Sequence, residues 1–241
     1  MWDNAPLLRN IANTLITLSV LAVLYGVTYY AVHLPGLFPL QSVRLNEVPQ
    51  RVEAAEVLRA VRNEVRGNFF TVDIERLRLS LEKLPWVRTV SIRREFPHRL
   101  TVHLEEHQAL ARWNNTALVN RQGEVFFAGN DRVADSRQAL PGFSGQDGTA
   151  AELAQLYAQF SRQLAALDLQ VTQLSLSPRH AWQLRLSNGM VLELGREDMQ
   201  QRLARFVDVY PYSLAAVQSR VRYVDLRYRN GFAVGGLAKQ G

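Results

Sequence analysis

Cysteine is absent from the 241 residues. Its absence excludes disulfide scaffolds, thiolate zinc sites, iron–sulfur clusters and cysteine nucleophiles together, and leaves the redox compartment open. Lysine is nearly missing as well. Lys83 and Lys239 stand against 26 arginines, and the formal net charge is +6. Nucleic acid, anionic lipid and acidic proteins all fit such a balance. The arginines are scattered among acids rather than gathered in one stripe, which argues against a nucleic-acid partner. With 14 Gly, 9 Pro and 47% apolar residues, the chain reads as folded rather than disordered or collagen-like. It contains neither an internal repeat nor a low-complexity tract.

Charge is also lacking from Asn10 to Val32, where Leu, Val, Ile, Ala, Thr and Tyr dominate. A helix over Ile11–Val32 spans roughly 33 Å, about a bilayer's hydrocarbon thickness. Tyr25, Tyr29 and Tyr30 gather in its later half, as interfacial aromatics do. A signal peptide has a shorter core and a small-x-small cleavage site, and Ala31-Val32-His33 does not supply one. An uncleaved single-span anchor over residues 10–33 is therefore expected, behind a tail of residues 1–9. Arg9 and the α-amino group precede the span, offset by Asp3, while Arg44 and Arg51 follow it. Charge alone leaves the orientation open.

Pro35, Gly36 and Pro39 make residues 34–39 a short linker. Beyond it, Val43 and Leu45 alternate as in a strand, and Val57, Leu58, Val61 and Val65 recur at helical spacing. Asp73 caps a second predicted helix carrying Ile74, Leu77, Leu81 and Leu84, closed by Pro85. Strand spacing resumes over residues 86–92 and again at Leu100, Val102 and Leu104. The order β-α-α-β-β fills a first module, residues 40–107. A second, mixed β domain with flanking helices is expected over residues 108–234, with a tail at 235–241. Its predicted strands cover 109–113, 118–120, 125–128, 170–176, 182–186, 191–194 and 221–228. Residues 141–148 read as a Gly- and Ser-rich loop, and Thr149 to Glu152 as a capping box opening a helix. A further helix over 197–209 turns Leu203 and Phe206 inward and Arg202 and Arg205 outward. The fold class is α+β.

Catalytic chemistry is scarce. His103-Leu104-Glu105-Glu106-His107 would converge on a metal only as a helix; on a strand its histidines stand about 13 Å apart, facing solvent. Ser80-Leu81-Glu82-Lys83 fits S-x-x-K, but the Lys-Thr-Gly and Ser-Asp-Asn partners of that chemistry are missing from the sequence. No phosphate loop or dinucleotide fingerprint occurs. Trp86, Trp113 and Trp182 fall in strand patterns and read as core. No catalytic set, cofactor or metal is expected. The remaining classes are binding and scaffolding.

Several phrases, in this order, resemble the bacterial FtsQ/DivIB family. Gly67-Asn68-Phe69-Phe70 with Asp73, Leu84-Pro85-Trp86-Val87 and Arg93-Arg94-Glu95-Phe96-Pro97 are similar to its POTRA module. Ala111-Arg112-Trp113 and Leu118-Val119-Asn120-Arg121-Gln122-Gly123-Glu124-Val125-Phe126 resemble the start of its β domain. Leu194-Gly195-Arg196, Arg202-Leu203-Ala204-Arg205-Phe206 and Tyr223-Val224-Asp225-Leu226-Arg227-Tyr228 resemble its close.

The resemblance implies a non-enzymatic scaffold of the division septum. Its N-terminus would be cytoplasmic, its single span in the inner membrane lipid, and both domains periplasmic. Its implied partners are the FtsB–FtsL pair, which governs septal peptidoglycan synthesis, and other division proteins. The family's partner segment maps onto Tyr228, Arg229, Asn230, Gly231, Phe232, Ala233 and Gly235, with Arg179 and His180 as a second, basic candidate. Where several relatives carry Trp after this run, Gly236 stands here. A terminal strand over 221–228, if it lies at a sheet edge, offers unpaired backbone to an incoming strand, with glycines at 231, 235 and 236 allowing close approach. The rival reading is a membrane-anchored POTRA protein of secretion or outer-membrane assembly, which would usually carry several such modules or a barrel.

Overall fold

α1 (Ala5–His33) is one helix of 29 residues, roughly 44 Å long. Every residue from Pro6 to Tyr30 is exposed, and the helix is apolar all round. An unburied helix with no polar face is suited to lipid. The computed structural model describes residues 5–34, 36–129 and 140–236; Pro35 of the linker and most of the C-terminal tail lie outside them. The chain divides after Glu106 into two compact units.

In the first unit, β1 (Ser42–Leu45), α2 (Ala54–Glu64), α3 (Ile74–Glu82), β2 (Val87–Glu95) and β3 (Arg99–Glu106) follow in order. The sheet runs β1-β3-β2, with β1 parallel and β2 antiparallel to β3. The alternation on β3 turns Leu100, Val102 and Leu104 to a core that also holds Val57, Leu77, Leu81 and Val90. Asp73 caps α3 by accepting from the Arg76 N–H at 2.9 Å. Trp86 precedes β2 rather than belonging to it: it takes a left-handed φ of 71°, is buried, and lies under the Arg51 guanidinium at 4.9 Å.

Asn68 joins this unit to α1. It is fully buried, and its Nδ2 donates to the carbonyls of Val32 (2.6 Å) and Leu34 (3.1 Å). Its Oδ1 accepts from the Phe70 and Thr71 N–H groups, each at 3.0 Å. One side chain thus satisfies carbonyls at the end of α1, which no further helical turn can reach, and closes the turn that begins α3.

Among the described residues, the second unit has its strands in one nine-stranded sheet, order β12-β11-β10-β9-β8-β7-β4-β5-β6. Its elements are β4 (Ala109–Trp113), β5 (Ala117–Asn120), β6 (Val125–Phe126), β7 (Gly142–Ser144), α4 (Ala150–Leu164), β8 (Val171–Leu176), β9 (Trp182–Leu186), β10 (Val191–Gly195), α5 (Met199–Ser213), β11 (Tyr223–Asp225) and β12 (Ala233–Gly235). Phe160 and Leu164 of α4 and Leu203 and Phe206 of α5 join one buried cluster with Leu174, Leu184 and Leu192 of the strands. Between these residues, Gln173, Gln183 and Arg185 are exposed, so the opposite face of the sheet is wet. Trp113 and Trp182 are core residues. At the β5–β6 turn Gly123 has φ 84° and lies against α4, where a Cβ would come 2.4 Å from Ala151 Cα. Only glycine fits there.

Several sequence expectations about the elements of this unit need correction, among them the strand read over 125–128, which ends at Phe126. The loop read over 141–148 contains β7, parallel to both β4 and β8, which joins the two halves of the sheet. Its three residues, one buried (Phe143), carry too little alternation to read. The Thr149 hydroxyl donates to Gln146 O at 2.7 Å instead of forming a capping box. α5 starts at Met199, after Asp198 in a left-handed conformation, and continues through Pro211. The strand read over 221–228 is shortened to 223–225, and β12 is added after it.

Asn68→Ala removes five hydrogen bonds around a buried position and leaves the Val32 and Leu34 carbonyls without this donor. We expect the first unit of the full-length protein in detergent to lose about 2–3 kcal/mol of stability. Chemical unfolding followed at Trp86 measures this, and an unchanged midpoint would show that the turn closes without Asn68.

Candidate partner-binding edge

β11 lies parallel to β10, with Val191 beside Tyr223 and Glu193 beside Asp225. Parallel neighbours need a crossover, and α5 provides it. Because β10 takes one side of β11 and β12 pairs antiparallel with the other, β11 is an inner strand. The expected edge therefore moves: the open rim belongs to Ala233–Gly235, and among the described residues no strand pairs with its outer side.

The chain leaves β11 at a charged turn. The Asp225 carboxylate, nearly buried, accepts from the Arg227 N–H (3.0 Å), Nε (2.9 Å) and Nη2 (2.6 Å). The Arg227 side chain's hydrogen bonds are the main reason the Asp225 pKa lies below the ordinary carboxylate value, against a smaller opposing effect of burial. Leu226 is buried, while Tyr228, Arg229 and Asn230 project into solvent, with Tyr228 58% exposed.

Arg202 and Arg205 do not point away from the fold. Arg202 Nη1 donates to Leu194 O at 2.6 Å, holding the end of β10. Arg205 reaches from α5 to the carbonyls of Tyr228 (3.0 Å) and Arg229. Both arginines are partly buried beside Leu203 and Phe206. A sequence shows their place on the helix but not the carbonyls opposite, so Arg205 carried no readable signal as a support for this segment.

The expected site residues fall into three groups. Tyr228, Arg229 and Asn230 form an exposed loop, and Gly231 has open space around its Cα. Phe232 is half-buried against the core, Ala233 is exposed and Gly235 half-buried on the edge strand. The close approach foreseen at two glycines is made by the chain itself. A Cβ at Gly235 would meet the Tyr223 ring at 2.1 Å, and one at Gly236, where φ is 82°, would meet the Arg222 side chain at 2.5 Å. Tyr223 and Val234, absent from the expected set, thus belong to the edge.

Arg179 and His180 occupy the β8–β9 turn, where His180 has φ 56° and both are exposed. The register puts Trp182 beside Gly195 and Glu193 beside Asp225, so this turn lies at the same end of the sheet as Tyr228. Two strand spacings, about 10 Å, separate β9 from β11. They share an end of the sheet without touching.

Elsewhere among the described residues no catalytic or metal-binding set assembles. Ser80 Oγ donates to Glu64 at 3.0 Å rather than to Lys83. His103 is exposed on β3, but His107 is not on the solvent face as expected: its ring stacks on Phe126 at 4.1 Å. Among the described residues no three His, Cys, Asp or Glu side chains gather as metal ligands.

Two family models match the chain: POTRA domain, FtsQ-type, over residues 38–107, and cell division protein FtsQ/DivIB, C-terminal, over residues 111–227. Cell division protein FtsQ of Nitrosospira multiformis is 42% identical over 241 residues, covering 98% of this chain and 99% of its own. That of Bordetella pertussis is 37% identical, covering 97% and 92%. That of Escherichia coli is 39% identical over 173 residues, covering 70% and 62%. With the apolar N-terminal helix, these matches define a single-pass membrane protein of cell division that carries one POTRA domain. The chain belongs to the FtsQ/DivIB family and acts with other proteins of the division machinery.

Asp225 yields a pH prediction. Its folded pKa is lowered, so its contribution is complete above the unfolded carboxylate value near ~3.9 and is lost as pH falls through the folded value. The stability difference between the protein and Asp225→Asn should be constant from neutral pH to about pH 5 and shrink below about pH 4. A difference independent of pH in unfolding titrations contradicts this.

Proposed function

We propose that this chain is a non-enzymatic scaffold at the division septum that holds the FtsB–FtsL pair on the outer edge of β12. Its N-terminus is cytoplasmic, α1 crosses the inner membrane, and residues 40–107 and 108–234 are separately folding periplasmic domains. Through that pair it links early and late division proteins and controls septal peptidoglycan synthesis. The observation that carries this reading is the open rim at Ala233–Gly235 beside the exposed Tyr228. A strand edge offers main-chain hydrogen bonds, and side-chain pockets along it supply selectivity. Tyr228 adds a large ring with a polar tip, a combination enriched at interface hot spots. Arg229, with Arg179 at the same end of the sheet, supplies positive charge for an acidic stretch of the partner, and His180 beside Arg179 offers a further polar contact.

Two substitutions separate side-chain from backbone recognition. Because Tyr228 is exposed, Tyr228→Ala should leave melting unchanged and weaken binding of a periplasmic FtsB segment about thirtyfold, roughly 2 kcal/mol. Gly235→Ala drives a methyl into the Tyr223 ring, so either the ring or β12 must shift, and binding should weaken while Tyr228 is intact. Calorimetric titration against the full-length protein reads both. Wild-type affinity in both variants would remove this edge from the interface.

A further inference from the structure

The first unit has an exposed aromatic surface that the partner-binding edge does not use. One contact ties it to the membrane helix, at Val32, and the others tie it to the segment that follows the helix. Asn68 donates to the Val32 and Leu34 carbonyls, the Phe69 N–H donates to Phe38 O at 3.0 Å, and the Gln41 N–H donates to His98 O at 2.9 Å. The last contact matters for direction. β1 starts beside Arg99, so the β2–β3 turn lies at the end of the sheet where the chain arrives from α1.

At this end Phe38, Phe69, Phe70 and Phe96 are linked by ring contacts of 5.1, 5.2 and 6.0 Å. Phe69 is buried, but Phe96 is 72% exposed and Phe70 41%. Leu37 and Phe38 extend the exposed apolar surface. Residues 66–72 and 93–99 contain four arginines, Arg66, Arg93, Arg94 and Arg99, and one acid, Glu95. Glu95 lies 3.6 Å from Arg99, and Arg66 shares a recess with Glu64 and Asp73, so the excess charge rests on Arg93 and on Arg94, whose Nη2 also donates to the Phe70 and Val72 carbonyls at 3.4 and 2.8 Å. Asn68, next to Phe69 in the chain, meets α1 at Val32, within one helical turn of Tyr29 and His33, whose rings are 4.1 Å apart.

We propose that this end of the POTRA unit rests in the headgroup layer of the bilayer crossed by α1. Phe70 and Phe96 enter the interface, and the arginines meet lipid phosphates. The inference requires that α1 spans the membrane but not a partner on β12. Exposed Phe and Leu side chains bury into the boundary between headgroups and acyl chains, and guanidinium groups bind phosphate oxygens bidentately. Anionic lipid adds attraction for exposed basic residues. A bilayer is favoured over a protein as occupant because the surface continues directly from the membrane helix through Asn68.

The absence of cysteine allows a single nitroxide label in the full-length protein. His98→Cys carries it in the turn with both phenylalanines intact, and Val48→Cys, just beyond the opposite end of β1, is the control. In nanodiscs, the ratio of oxygen to nickel-complex accessibility at position 98 should exceed that at 48 several-fold. The difference should be larger in phosphatidylcholine mixed with phosphatidylglycerol than in phosphatidylcholine alone. Adding Phe70→Ser and Phe96→Ser should bring position 98 to the value at 48, while circular dichroism reports that the fold is kept. Equal ratios at 98 and 48, as expected if water or a protein covers this surface, would overturn the proposal. No response to phosphatidylglycerol would overturn the role of the arginines, and an unchanged ratio in the serine variant would overturn that of the rings.

Discussion

The parallel pairing of β10 with β11 is the constraint on which the C-terminal half of the sheet depends. It forces the chain through α5, and α5 brings Leu203 and Phe206 into the core and Arg205 to the carbonyls that follow β11. It also makes β11 an inner strand. A last short strand must then form the rim, and the turn at Asp225 and Arg227 lets β12 fold back beside it. An exposed loop and an open backbone edge are the geometric result of placing a parallel strand next to last.

Elements with a strong periodic pattern were legible in the sequence. The apolar span is legible from its unbroken length, and β3, β9 and β10 each have five or more residues in which buried positions alternate with more exposed ones. Of the elements of three residues, β11 was legible only as part of a longer strand, and β7 and β12 were not. β7, β11 and β12 are shorter than one unambiguous repeat, and their pairing is decided by what lies beside them. The same limit applies to the candidate edge. Tyr228 through Gly235 could be picked out as a segment, yet which strand is outermost follows from sheet order. The glycine at 235 looked like space for a partner; it is filled by Tyr223 across the ladder. Arg205 was misjudged for a related reason, because a partly buried arginine on a helix has no solvent signature of its own.

The two units place different demands on their residues. In the first, a buried amide at Asn68 continues the hydrogen bonding of a helix that has run out of its own donors, so the end of the membrane segment is tied into the same unit as the sheet. In the second, an ion pair and an arginine hold a loop whose side chains remain free to be recognised. Family membership is consistent with both, since both matched regions extend to the residues concerned: the POTRA match includes Asn68, and the C-terminal match runs through Arg227.

Hydrogen–deuterium exchange on the full-length protein, free and with a periplasmic FtsB segment bound, tests the partner edge most directly. The account predicts that amides of residues 228–235 gain protection on binding, while those of Val125 and Phe126, at the opposite edge of the same sheet, exchange as before. Protection at β6 without any at β12 would contradict it.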